Sequence, residues 1–233
     1  FCNVKKSNVI PALNASNIYE VPSIYYNAGL DKSLLEVLGF KEKKYPLSLA
    51  SWNKVVKKIN KLLKNVSIGI VGKYTDLKDS YKSLNEALVH GGLSNNVKIE
   101  IKWINSEKLN NSDVINQLSN VDGIIVPGGF GDRGITGKLS SIKLARKKNI
   151  PFLGICFGMQ LAVIEIATNV LKIKDANSTE FKKTKNPVVG LMTEWTKDNK
   201  KVKRTTESDK GGTMRLGSYP CKILKGSLVH KIY

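Results

Sequence analysis

Three short apolar runs constrain this chain most: VSIGIVG (66–72), GIIVPGG (123–129) and FLGIC (152–156). Each is too short for a helix, rich in Val, Ile or Leu, and tied to glycine at its end. For the first two, that is the texture of a strand buried on both faces, and FLGIC reads as a third strand. Segments of helical period separate or follow them: DSYKSLNEALVHGG, NSDVINQLSNV, KLSSIKLARKKN and FGMQLAVIEIATNVL. Two more strands are predicted, VKIEIKWI (97–104) from its alternation and PVVGLMTEW (187–195) from its apolar start. Strands alternating with helices across short turns imply an α/β fold: an open, mostly parallel sheet with helices on both faces. Ligands of such sheets gather at the carboxyl ends of strands. The turns PGGFGDRG and GICFGM both fall there.

Local signals refine the frame. Asp79 or Ser80 is expected to cap the first helix of the sheet region, and Gly91–Gly92 to stop it. Residues 1–42 carry helical spacing in SIYYNAGLDKSLLEVLGF, and 43–65 read as a charged, Pro-broken linker with an amphipathic helix. The α/β domain is expected over 66–233. From 182 on order weakens, and TKDNKKVKRTTESDKGGTMRLG reads as a loop or hairpin. The chain opens on FCNV, without an initiator Met or signal-peptide pattern. It reads as a fragment of a longer protein.

A net charge of +19 first suggests a polyanionic partner. The balance behind it points elsewhere: 34 Lys stand against 4 Arg, spread along the whole chain among many Asn. Readers of nucleic acid favour the Arg fork, whereas a Lys/Asn-rich, Arg-poor chain is what an AT-rich genome produces. Neither a nucleic-acid nor a membrane partner is expected, and no apolar run approaches a membrane span. Three scattered cysteines, Cys2, Cys156 and Cys221, do not make a disulfide framework. A reducing, cytoplasmic setting is expected.

Cys156 stands in G-I-C-F-G, the cysteine form of a nucleophile elbow. Gly154 and Gly158 leave room for a sharp strand-to-helix turn that pushes the thiol outward. The helix N-terminus there favours a thiolate, and the Phe157 N–H is free to face an oxyanion. A buried Cys in an ordinary strand-turn-helix is the competing reading. The adjacent glycines of VPGGFG offer a second set of backbone donors, or simply a Gly-rich turn.

VPGGFGDRG together with FLGICFGMQLAVIE resembles the class I glutamine amidotransferases. IGIVGKYTDLKDSYKSLNEALVHGG, DANSTEF, PVVGLMTEW and GGTMRLG resemble, within that class, the CTP synthases. The likeness runs nearly end to end. FCNV and ASNIYEVPSIYYNAGL resemble the end of the synthetase (amidoligase) domain. The resemblance implies a flavodoxin-like fold and hydrolysis of glutamine at Cys156, with ammonia passed on for ATP-dependent amination of UTP to CTP.

It also implies roles for particular residues. The backbones of Gly129 and Phe157 would hold the oxyanion, with Gly158 and Met159 in the same motif. Gln160 and Glu180 would grip the amino-acid end of glutamine. Phe130 would lie over the pocket, and Arg215 belongs to a lid linked to GTP activation. Lys73 and Tyr74 would lie toward the ammonia path. No metal site is implied in this chain; ATP and Mg²⁺ belong to the synthetase domain, and the full-length family members are homotetramers.

Two departures matter. The family pairs its cysteine with a His-x-Glu, and this chain has only His90 and His230, neither in that context. The expectation is that the base lies C-terminal to Tyr233 and that the fragment alone does not turn over glutamine efficiently. Phe157 stands where the family usually has Leu. Other readings remain open at this point: an amidotransferase serving another synthetase, a basic binding module with a structural Cys156, and a regulatory pseudo-enzyme.

Overall fold

The computed structural model describes residues 3–40, 48–73, 75, 77–109, 111–129, 131–191, 194–197, 200–203 and 220–233. The chain divides into two compact units, Phe1–Val189 and Gly190–Tyr233.

The first unit opens with three helices, α1 (Val21–Asn27), α2 (Leu30–Val37) and α3 (Ala50–Ile59). Its sheet follows: β1 (Asn65–Gly72), α4 (Lys82–Ser94), β2 (Lys98–Asn105), α5 (Asn111–Leu118), β3 (Gly123–Val126), α6 (Ile135–Lys148), β4 (Phe152–Gly154) and α7 (Phe157–Asn169). The strands lie in the order β2-β1-β3-β4, all parallel. A short parallel pair, β5 (Ala176–Ser178) and β6 (Asn186–Val189), packs beside α7.

Alternation along β1 divides the helices between two faces. A Cβ at Gly69 would stand 2.8 Å from Leu118 of α5. Val71, on the same face, shares one core with Leu118, Val126, Ile142, Phe157 and Leu161. Val66 and Ile68 turn the other way and line an apolar groove with Leu88 of α4 and Ile99 of β2. The chain steps outward from β1 to β2, then returns past β1 to β3, so its crossover helices change face. The switch point lies between the carboxyl ends of β1 and β3, the end of such sheets at which ligands bind.

Helix α4 differs from its sequence reading at both ends. A 3₁₀ turn over Lys78–Tyr81 precedes it, and the N-cap position falls on Tyr81 without a side-chain cap. It also runs through Gly91–Gly92 and stops at Asn95–Asn96. There the Val97 N–H donates to Gly92 O (2.9 Å) and the Asn96 N–H to Leu93 O (3.3 Å), with Asn96 at φ 58°. This is a Schellman stop with Asn in the left-handed position. Gly92 serves a different need, close approach: a Cβ there would stand 2.7 Å from Val97 O and 2.8 Å from Ile99 Cγ1.

Polar contacts lock the layers. Arg146 of α6 donates from Nε (2.9 Å) and Nη2 (2.7 Å) to the Glu165 carboxylate of α7, which is 1% exposed. The planar fork matches the carboxylate, so the buried charge is paired. Farther out, Trp52 Nε1 donates to Tyr19 O (2.7 Å) and the Tyr19 hydroxyl to Glu86 of α4 (2.8 Å). Burial and the Glu86 contact push the Tyr19 phenol up to about 12.

In the second unit β7 (Glu194–Lys197) and β8 (Lys200–Lys203) form an antiparallel hairpin. The short α8 (Leu228–Ile232) is capped by Ser227 Oγ, which accepts from the His230 N–H (3.1 Å). The run PVVGLMTEW is therefore not one strand: Pro187–Val189 belong to β6, and Glu194–Trp195 to β7. β6 reaches only as far as the three-residue β5 can pair with it. Among the described residues, no helix is long and apolar enough to cross a membrane.

The two glycines of α4 should respond oppositely to Ala. Gly91 has nothing within 4 Å of an added Cβ, so Gly91→Ala should stabilise by about 0.5–1 kcal/mol. Gly92→Ala should destabilise by about 1–3 kcal/mol through overpacking. Urea unfolding of both variants measures the contrast.

Candidate active site

The carboxyl edge of the sheet is built around one strained residue. Cys156, between β4 and α7, has φ 52° and ψ −105°, outside the regions open to residues with a Cβ. Such strain costs on the order of 1–3 kcal/mol and persists only where surrounding structure enforces it. Here the enforcement is visible. The Ile155 N–H donates to Val126 O (3.0 Å), a hydrogen bond from the β4 side of the turn to β3, and the Gly158 N–H donates to Ile155 O (2.9 Å). The Gln160 N–H then takes Cys156 O (3.2 Å), so the cysteine is already the N-cap of α7.

Both flanking glycines are sterically required. A Cβ at Gly154 would stand 2.6 Å from the Gly158 carbonyl carbon and 2.7 Å from the Met159 nitrogen. One at Gly158 would strike the Val126 carbonyl. Helix α7 therefore starts pressed against β3 and β4, and the Cys156 side chain is left exposed above them.

The turn after β3 forms the facing wall. A Cβ at Gly128 would lie 3.5 Å from Cys156 Cβ and 4.0 Å from its Sγ. Gly129 follows on the same turn, while Phe157 occupies the first position of α7, where a backbone N–H has no acceptor within the helix. The Phe157 ring is buried and meets Phe181 edge-on, with centroids 5.5 Å apart at 90°. Phe181 is next to Glu180, whose Oε1 accepts from the Gly131 N–H (3.3 Å).

A clamp shapes the loop that carries Glu180. Asp175, at φ 58°, accepts from Lys182 Nζ (2.6 Å) and Thr184 Oγ1 (2.9 Å). The hydrogen bond from Lys182, then that from Thr184, holds the Asp175 carboxyl below the usual carboxylate range.

Among residues expected from sequence, the structure thus gathers Cys156, Gly129, Phe157 and Glu180 around one edge. Gly158 lies behind the elbow against β3, and Met159 and Gln160 fill the first turn of α7, Met159 exposed and Gln160 half-buried. Lys73 is buried just past β1, its carbonyl accepting from the Tyr81 hydroxyl (2.6 Å). Tyr74, Phe130 and Arg215 lie outside the described residues. His90 is exposed near the amino edge of the sheet, edge-on to Tyr19 at 5.9 Å. His230 belongs to the second unit. Among the described residues, no group of three or more His, Cys, Asp or Glu could hold a metal ion.

Sequence reasoning missed Lys138. Its Nζ lies 4.9 Å from the Phe157 ring centroid and 4.0 Å from where a Cβ of Gly129 would be. The residue is 1% exposed. The helical period was the available signal: Lys138 stands four and seven residues before the buried Ile142 and Ala145, on the same stripe. Phe181 and the Asp175 clamp were also missed, being contacts made only by folding.

The backbone strain can be tested separately from chemistry. Cys156→Gly should be more stable than Cys156→Ala by about 1 kcal/mol, because glycine alone accepts this φ and ψ without penalty. Equal unfolding free energies would remove the strained elbow.

Comparison with known proteins bears on the same residues. The family model of class I glutamine amidotransferases matches residues 76–232. CTP synthase of Parvibaculum lavamentivorans is 51% identical over all 233 residues, and that of Rhodopseudomonas palustris (strain BisA53) 52%. The chain spans 43% of the length of each of these relatives. The solved glutaminase domain of Trypanosoma brucei CTPS, with bound acivicin, is 41% identical at a TM-score of 0.51, over 55% of this chain and 50% of that one. With a matching model that takes in both Gly-rich turns and the elbow, this chain belongs to the class I glutamine amidotransferase family.

Proposed function

We propose that the chain is the glutaminase part of a CTP synthase, releasing ammonia from glutamine at Cys156. The observation that carries this reading is the enforced elbow, which presents an exposed thiol at φ 52° beside the Gly128–Gly129 turn. Cys156 Sγ attacks the carboxamide carbon of glutamine. The resulting oxyanion is assigned to the N–H groups of Gly129, on the turn after β3, and of Phe157, at the start of α7. Collapse expels ammonia as the amine takes up a proton, leaving a glutamyl thioester that water cleaves to glutamate.

Gln160 and Glu180 hold the amino-acid end of the substrate. A carboxylate suits the substrate ammonium, and Glu180 is already fixed to the wall of the site through Gly131. Met159 borders the pocket, and Gly158 lets α7 start close enough to place these groups. Phe130 and Arg215 are assigned to the cover of the site, and Lys73 and Tyr74 to the ammonia exit. The relatives are more than twice as long as this chain. We assign the proton acceptor of the thiol to that remainder, because His90 sits at the wrong edge of the sheet.

The same reading assigns residues 1–42 to the end of a synthetase domain, 43–65 to the linker and 66–233 to the amidotransferase domain. ATP, Mg²⁺ and UTP then act in the synthetase domain, GTP activates, and the full-length protein works as a cytoplasmic homotetramer. The support is 51–52% identity to CTP synthases over all 233 residues.

The test is CTP formation by the full-length protein from glutamine or from ammonium. Cys156→Ala should abolish the glutamine-dependent reaction, by about 10³-fold or more, and leave the ammonium-dependent one near wild type. Formation of CTP from neither source by the wild type would refute the assignment.

A further inference from the structure

Lys138 is a charge in an unusual place. It stands in the first turn of α6, four residues beyond Gly134, which packs against Ser106 together with Gly137. The Lys138 side chain is 1% exposed and runs inward, its Nζ within 4.0 Å of where a Cβ of Gly129 would be. Its ammonium ends against the Phe157 ring, a favourable cation–π placement. Burying a lysine is costly, and an apolar side chain of similar length would fill the same space.

We infer that Lys138 is an electrostatic positioning residue of the candidate active site. Its buried ammonium sits over the Phe157 ring and beside the turn at Gly129, placing positive charge near where the tetrahedral intermediate becomes negative. The inference rests on the reading of Cys156 as the glutaminase nucleophile. Lys138 acts through the Phe157 ring and the turn at Gly129, not by contact with the substrate. Charge fixed in a site shielded from water stabilises a developing anion more than it would in solvent.

The surrounding charges set when Lys138 is protonated. Burial pushes its ammonium down to about 8; Lys73, beyond β1, pushes the same way, and Glu107, beyond β2, opposes them. Glu107 is shared with Arg133 at 3.4 Å. Strands β1, β3 and β4 carry no ionisable side chain, and α5 carries only Asp113. On α7, Glu165 is held by Arg146, two turns further along α6. Lys138 is therefore cationic near neutrality and loses its proton as pH rises through about 8. Glutaminase activity should fall over the same range. Folding responds in the opposite sense: a lysine with a depressed folded pKa binds fewer protons than the unfolded chain above pH 8, so its penalty on stability fades toward its ordinary value of 10.5.

The experiment uses the full-length protein and follows glutamate release, the rate of Cys156 alkylation by iodoacetamide, and the thermal unfolding midpoint. Lys138→Met, similar in length and uncharged, should lower kcat about tenfold at pH 7, less than loss of a direct oxyanion donor. It should leave KM for glutamine within about twofold and remove the alkaline fall near pH 8. Alkylation, which needs the thiol but no oxyanion donors, should be unchanged. The unfolding midpoint at pH 7 should match or exceed wild type, whereas a merely structural lysine would lower it.

Wild-type kcat and pH profile in Lys138→Met would overturn the inference, as would an equal loss of alkylation. Should that variant not fold, the wild-type profile decides alone: a flat kcat from pH 7 to 9 overturns it. Absence of glutaminase in the wild type, or its survival in Cys156→Ala, instead defeats the nucleophile reading.

Discussion

Helix α7 begins with Gly158 in contact with the Val126 carbonyl of β3, and much of the site depends on that approach. No residue with a side chain fits there, so the helix axis is set by backbone against backbone. The same approach leaves Gly154 facing Gly158 and Met159 across the turn. Between these two glycines the chain must reverse within three residues, and Cys156 takes the conformation that results. Strain at the cysteine is thus a consequence of packing beneath it, and packing keeps the thiol pointed out of the sheet.

Around this fixed point the other groups are placed by fewer, weaker contacts. Phe157 meets Phe181 edge-on, which brings the loop after β5 to the start of α7. The Asp175 clamp closes that loop, and Glu180 reaches the Gly131 N–H. The Arg146–Glu165 pair holds α6 to α7. Because Lys138 extends from α6 toward Phe157, the helix pair also carries the buried cation onto the Phe157 ring. The thiol comes from the turn after β4, the cation from the helix between β3 and β4, and Glu180 from the loop after β5 of the small second sheet.

The sheet was legible because its strands are nearly all apolar and its helices periodic: 66–72, 123–126 and 152–156 could hardly be anything else. The elbow was legible because glycine spacing reports backbone approach, which is local. Other features depend on distant partners. Gly91–Gly92 looks like a stop until Ile99 of β2 is seen against Gly92, and PVVGLMTEW looks continuous until β5 proves too short to pair with all of it. Lys138 was hidden among 34 lysines; only its register with Ile142 and Ala145 set it apart. Glu180 and Asp175 both lie in DANSTEF, but the clamp that Asp175 forms with Lys182 and Thr184 is made only by folding.

The central claim is that the fold singles out one thiol for nucleophilic attack on a glutamine-like substrate. The most direct measurement is mass-spectrometric mapping of the full-length protein after exposure to acivicin, the compound bound in the related glutaminase domain. The account requires one adduct per chain, at Cys156, suppressed by glutamine, with Cys2 and Cys221 unmodified. Labelling spread over the three cysteines, or indifferent to glutamine, would contradict it.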